Sequence, residues 1–161
     1  MGDYYFLTVP VKKHIEKFIC TAEGPFVINK KQSFIWHIIR PYLIYKVLSG
    51  HRYDDIQKSF PGKIKIRIPK SNIRVYGLHP RVSAIGFINK VLGMYFGKEL
   101  AAFVQKNIKN GRYHGYNNAI EDFCKENNIL IEEDITMDAL QKLEFRHRNK
   151  CKKSVADLSH S

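Results

Sequence analysis

The sequence predicts an α+β protein, with a small antiparallel sheet in its N-terminal half and a helical C-terminal half. Three observations carry this. "KIKIRI" (Lys63 to Ile68) alternates cation and isoleucine strictly, and a period of two is the signature of a strand with one apolar face. From Pro80 the period becomes helical, with Val82, Ile85, Ile88, Val91, Leu92, Tyr95 and Phe96 on one face. The turn signals "PKSN" and "KNGRYHGYNN" separate the segments. At 161 residues, 44% of them hydrophobic, the chain suits one domain. That domain is expected over residues 1–153, helical from about 80, with 154–161 as a frayed tail.

In chain order, "YYFLTVPV" is rich in β-branched and aromatic residues and reads as the first strand. Pro10 is placed in the first turn of the next helix, where its missing N–H costs nothing. Val11, Ile15, Phe18 and Ile19 continue at helical spacing until "EGP". "FVIN" is a short strand. Ser33 caps a second helix carrying Phe34, Ile35, Ile38 and Ile39, and Pro41 breaks it. Residues Tyr42 to Leu48 are read as a separate helix, and Asp54 to Lys58 as one helical turn in a loop. The alternating strand stops at Pro69, and "IRVYG" alternates again, so a hairpin is expected. Gly97 divides the long helical stretch. Asn117 or Asn118 caps the next helix, with Ala119, Ile120 and Phe123 inward. Thr136 caps the last, with Ala139, Leu140 and Leu143 inward.

Composition removes several classes. The longest apolar stretch, "FIWHIIRPYLIY", is interrupted by His37, Arg40 and Pro41 and falls short of the roughly 18 apolar residues of a membrane span. The N-terminal residues place an acid before a short apolar run and lysines after it, the wrong order for a secretory signal, so a cytoplasmic protein is expected. Cys20, Cys124 and Cys151 are too few and too scattered for a disulfide framework. His147 and Cys151 are four apart but lack a second ligand pair, so no metal and no cofactor is expected. The chain shows no glycine-rich phosphate loop, HExxH, GxSxG or deaminase pattern, and the adjacent acids Asp54-Asp55 and Glu121-Asp122 diverge on any regular element. The expectation is that it is not an enzyme.

Charge is the strongest functional signal. The net charge is +12, and Ile56 to Lys98 holds 9 cations and no acid. Gly115 to Gln141, by contrast, holds 7 acids and a single cation. A basic protein of this kind attracts phosphate polymers at long range. Lys63, Lys65 and Arg67 share one face of the alternating strand, and Arg74 extends it if the hairpin forms. A two-stranded basic ribbon fits the major groove, and a strand surface bearing aromatics can stack bases. The competing reading is a solvated edge strand, whose lysines keep other chains from pairing with it. On the last helix Lys142, Arg146 and Lys150 form a second cationic face, with Lys153 continuing it and Arg148 and Lys152 widening it. Its competing reading is the helix dipole, which favours acids at the start and cations at the end. A helix-turn-helix comparison is weakened by the long "NNILIEEDI" connection and by its anions. "GRYHGY" joins a cation with aromatics in one loop suited to stacking.

Four stretches, "VKKHIEKFI", "FINKVL", "AIEDFCKENNI" and "EEDITMDALQKLEFRHR", resemble in that order small uncharacterised proteins encoded by phages and integrated elements of Bacteroides-type bacteria. The resemblance covers most of the chain and implies a mobile-element setting, where small basic proteins handle nucleic acid. It transfers no activity and no functional residue. The expectation that follows is a non-enzymatic nucleic-acid-binding protein, DNA in preference to RNA, held through phosphates. The alternative is an interaction or structural protein that meets an acidic protein partner or a second copy of itself.

Overall fold

The computed structural model describes residues 4–24, 27–28, 33–44, 51–70, 79–112 and 115–158, with side chains outside 27–28, 51–54 and 150–158. The class is α+β, with the sheets in the N-terminal half and helices filling the C-terminal half. The strands are β1 (Tyr4–Val11), β2 (Val27–Ile28), β3 (Leu43–Ile44), β4 (Gly62–Pro69) and β5 (His79–Pro80). The helices are α1 (Lys13–Glu23), α2 (Phe34–Ile39), α3 (His51–Ser59), α4 (Val82–Lys109), α5 (Tyr116–Glu126) and α6 (Met137–Leu158). The chain divides into two compact units, Met1–Leu92 and Gly93–Ser161.

In the first unit β1 runs antiparallel to β4 over its whole length, from Tyr4 opposite Pro69 to Val11 opposite Gly62. The short β2 joins the other side of β4 in parallel, at Ile66 and Arg67, giving the order β1-β4-β2. β3 and β5 form a separate antiparallel pair. The period of two decides which face goes inward. Ile64, Ile66 and Ile68 are buried, as are their cross-strand partners Val9 and Leu7, and α1 packs on β4 through a stripe of Ile15, Phe18 and Ile19. Each such side chain contributes roughly 1.5–3 kcal/mol on burial, so a slip of one residue, which would turn the isoleucines outward, is strongly disfavoured.

Several local expectations shift. Pro10 lies in β1, not in a helix, and α1 begins only at Lys13. Because β1 is the outer strand of its sheet, a residue without an N–H is tolerated there. Ser33 does cap α2, its hydroxyl accepting from the Trp36 N–H at 3.2 Å, and Pro41 ends α2 in a 3-10 turn at Arg40–Tyr42. Ile35 and Ile39 are buried as expected, whereas Phe34 is exposed and Trp36 is buried beside them. Leu43 and Ile44 form β3 where a helix was expected, and α3 spans nine residues in place of one turn. The expected hairpin strand, with Arg74 and Tyr76, lies outside the described residues.

One polar side chain secures the β1–α1 corner. Asn89, on α4 and almost fully buried, accepts a hydrogen bond from the Lys12 N–H at 3.0 Å. Its amide donates to the carbonyls of Pro10 and Ile85, also at 3.0 Å. The first two bonds join backbone groups that β1 and α1 leave unsatisfied where the chain turns.

In the second unit α4 from Gly93 onward, α5 and α6 enclose Phe96, Leu100, Val104, Ile120, Phe123 and Leu140. Phe123 meets the rings of Phe96 and Phe103 edge-on, at 5.7 and 5.4 Å between centroids. Gly97 does not divide α4. A Cβ there would stand 2.7 Å from the His147 ring, so the position is small because α6 approaches it. Thr136 caps α6 as expected, whereas α5 starts at Tyr116 behind Gly115, ahead of Asn117 and Asn118. The backbone of α6 stays helical to Leu158, through most of the stretch expected to fray.

Burial, with Asp134 and Glu121 adding to it, pushes the Cys124 thiol from 9.0 up to about 11. The folded thiol therefore keeps its proton to higher pH than the unfolded one. Its contribution to stability is complete below about pH 9 and is lost as pH rises through about 11. Urea unfolding between those limits is expected to show the wild-type chain losing more stability than Cys124→Ala. Parallel losses would show that this thiol does not titrate differently on folding.

Candidate functional site

β4 turns Ile64, Ile66 and Ile68 inward and therefore sends Lys63, Lys65 and Arg67 to the opposite face. The antiparallel register sets Pro10, Thr8 and Phe6 of β1 directly across from these three cations, with Tyr4 across from Pro69. One sheet face thus carries three cations, two aromatics and a threonine, and no acid. Lys63 and Lys65 are exposed and Arg67 is half-buried. Phe6 is 57% exposed and Tyr4 41%, high values for aromatic residues within an ordered strand.

Arg67 is held by the face itself. Its guanidinium carbon lies 3.6 Å from the centroid of the Tyr4 ring, a cation–π contact across the diagonal of the ladder. Its Nε is buried without a hydrogen-bond partner, so the ring orients this side chain. Among the described residues no carboxylate forms an ion pair with Lys63, Lys65 or Arg67. Partial burial, with Glu16 adding to it, pushes the exposed Cys20 thiol above its ordinary value, and Lys13 and Lys65 oppose the shift without cancelling it.

The topology removes the edge-strand reading at Arg67, while Lys63 and Lys65 lie beyond the described β2 pairing. β4 lies between β1 and β2, with the β2 side closed at Ile66 and Arg67, so its cations are not guarding an open ladder there. The two-stranded ribbon expected from β4 and "IRVYG" lies in part outside the described residues.

The second cationic face is less available. Lys142 and Arg146 are exposed on α6, but the Lys142 ammonium is 2.7 Å from Asp138 one turn earlier. Lys150 lies in α6 with its side chain outside the described set. Arg148 turns inward, 3.4 Å from the buried Glu144 and stacked 4.3 Å above the Tyr116 ring. The start of α6 is already capped by anions, since Glu132 accepts from the Met137 N–H at 3.0 Å. The acids at the start suit the helix dipole, but α6 runs on to Leu158 with no base in its last turn, so the dipole does not account for the cations along its middle. The capped start leaves no cationic N-terminus to enter a groove. A cleft of about 130 Å³ between α4, α5 and α6 is lined by Gln105, Ile108, Lys109, Tyr116 and Arg148, and its aromatic ring is already covered by Arg148. Of "GRYHGY", Tyr113 and His114 lie outside the described residues.

The residues that single-strand reading missed are Tyr4 and Phe6. Their place in a strand was legible, but their strand partner was not. Glu144 was missed as well, because a buried acid at a helical inner position has no signature of its own. Among the described residues no group of three His, Cys, Asp or Glu side chains is arranged to hold a metal ion, and no helix is long and apolar enough to cross a membrane. Comparison of the chain with protein-family models, with curated proteins and with solved structures gives no match, so its function has to be read from this surface.

Proposed function

We propose that this chain is a non-enzymatic nucleic-acid-binding protein that holds its polymer, DNA in the first instance, through phosphate contacts at the β1–β4 sheet face. The observation that carries the reading is the set Lys63, Lys65 and Arg67, unpaired with any described carboxylate and gathered on a face without an acid. Cations in that state release counterions when they meet phosphate, whereas Lys142 must first give up Asp138. Arg67 can add bidentate bonds to a phosphate.

Fluorescence anisotropy with short duplex DNA, single-stranded DNA and RNA at two salt concentrations tests this. Three phosphate contacts predict a log–log salt slope of about −2 on a single strand and about −3 on a duplex, with micromolar or tighter binding near physiological salt. Absence of binding to all three polymers at low salt rejects the proposal and directs attention to an acidic protein partner.

A further inference from the structure

We infer that the sheet face binds single-stranded nucleic acid by stacking bases on Phe6 and on the Arg67 guanidinium that covers Tyr4, while Lys63 and Lys65, with the outer N–H groups of Arg67, take the phosphates. This rests on the phosphate-binding reading and narrows it to one class of polymer. Charge alone would serve a duplex equally well, so the choice comes from the aromatics. A duplex turns its bases inward and offers the outside world phosphates and groove edges. Rings exposed beside the cations gain nothing from that, but every unpaired base has a π-face for them.

The geometry matches the requirement in three ways. Phe6 and Tyr4 are two positions apart on β1, so both stand on the same face about 7 Å from one another. On the neighbouring strand, about 5 Å away, Arg67 stands across from Phe6, and Lys65 and Lys63 continue from it at the same spacing across from Thr8 and Pro10. The rings and Arg67 therefore occupy one end of the face and the lysines the other, so a single strand laid along β1 and β4 meets a stacking platform first and then cations for its next phosphates. Arg67 adds to the platform: its plane is already stacked on Tyr4 at 3.6 Å, and a guanidinium stacks on a base as readily as on a ring. Thr8, next after Phe6 on the same face of β1 and across from Lys65, offers a hydroxyl to a base edge or a 2′-OH. β4 is flanked on both sides at Ile66 and Arg67, and a polymer can lie flat across it.

The test separates stacking from charge with the full chain and four labelled probes: oligothymidine, oligouridine, an abasic strand of the same length, and a duplex. Stacking predicts that oligothymidine and oligouridine bind about 5- to 150-fold more tightly than the abasic strand at the same salt. Phe6→Leu, which keeps an apolar side chain but removes the ring, is expected to remove about half of the oligothymidine advantage on the logarithmic scale, and Phe6→Leu combined with Tyr4→Leu to bring it close to abasic affinity. The abasic strand's affinity and salt slope should stay as they were, and Phe6→Tyr should restore the difference. If base-bearing and abasic strands bind equally, or the duplex binds most tightly, the stacking inference is overturned while phosphate binding stands. If none of the four binds at low salt, both fall together.

Discussion

Replacing Lys65 and Arg67 together by glutamate is expected to lower nucleic-acid affinity by about 100-fold or more near physiological salt. Each cation beside a dense phosphate surface contributes on the order of 1 kcal/mol, and each introduced carboxylate repels the polymer by a similar amount. The salt slope on a single strand should fall by about 1.4, the share of two lost phosphate contacts. The matched control is Lys142→Glu with Arg146→Glu. Both pairs reduce the net charge of +12 by the same amount, so long-range attraction weakens equally in the two proteins. Only the site differs. Lys142 already pairs with Asp138, and the α6 double variant is expected to lose no more than severalfold. Equal losses from the two pairs would mean that bulk charge and not the sheet face binds the polymer. A larger loss from the α6 pair would move the site to that helix. Neither β4 substitution touches the core, because both side chains leave the sheet on the face opposite Ile64, Ile66 and Ile68.

The second large effect is on stability. Asn89→Leu preserves volume at a buried position but removes the bonds to the Lys12 N–H and the Pro10 carbonyl. An orphaned backbone group costs roughly 1–3 kcal/mol, so the loss should be about 2–4 kcal/mol. That is a large part of the 5–15 kcal/mol on the order of which domains are stable. Urea unfolding should show a lower midpoint with an unchanged slope, and oligonucleotide affinity of the folded protein should be preserved, because β1 keeps its full ladder with β4. A change below about 0.5 kcal/mol would mean that water takes over the amide's partners.

Much of the fold was legible because its signals are local. The isoleucine–cation alternation of β4, the Ser33 and Thr136 caps, the break at Pro41 and the inner stripes of α1 and α5 each depend on residues within one or two turns of each other. Where reading failed, a distant residue had decided the matter. Pro10 reads as a helix start, but the β4 ladder continues past it and keeps it in the strand. Gly97 reads as a helix break, but His147 is what requires its small size. Asn89 is an unremarkable polar residue on a helix until the corner it bonds is in view.

The candidate site divides in the same way. By itself the sequence determined that Lys63, Lys65 and Arg67 leave one strand on one side, since the strand period requires it. It also determined the +12 charge and the acid-free run that contains them. Only the tertiary structure decided that β4 lies between two other strands, that Phe6 stands across from Arg67 with Tyr4 diagonal to it, and that Lys142 and Arg148 are engaged by Asp138, Glu144 and Tyr116. The physical reason is that strand order and register come from burying apolar faces against residues far away in the chain, about sixty positions in the case of β1 and β4. Periodicity says which side chains share a face; packing says what stands beside them.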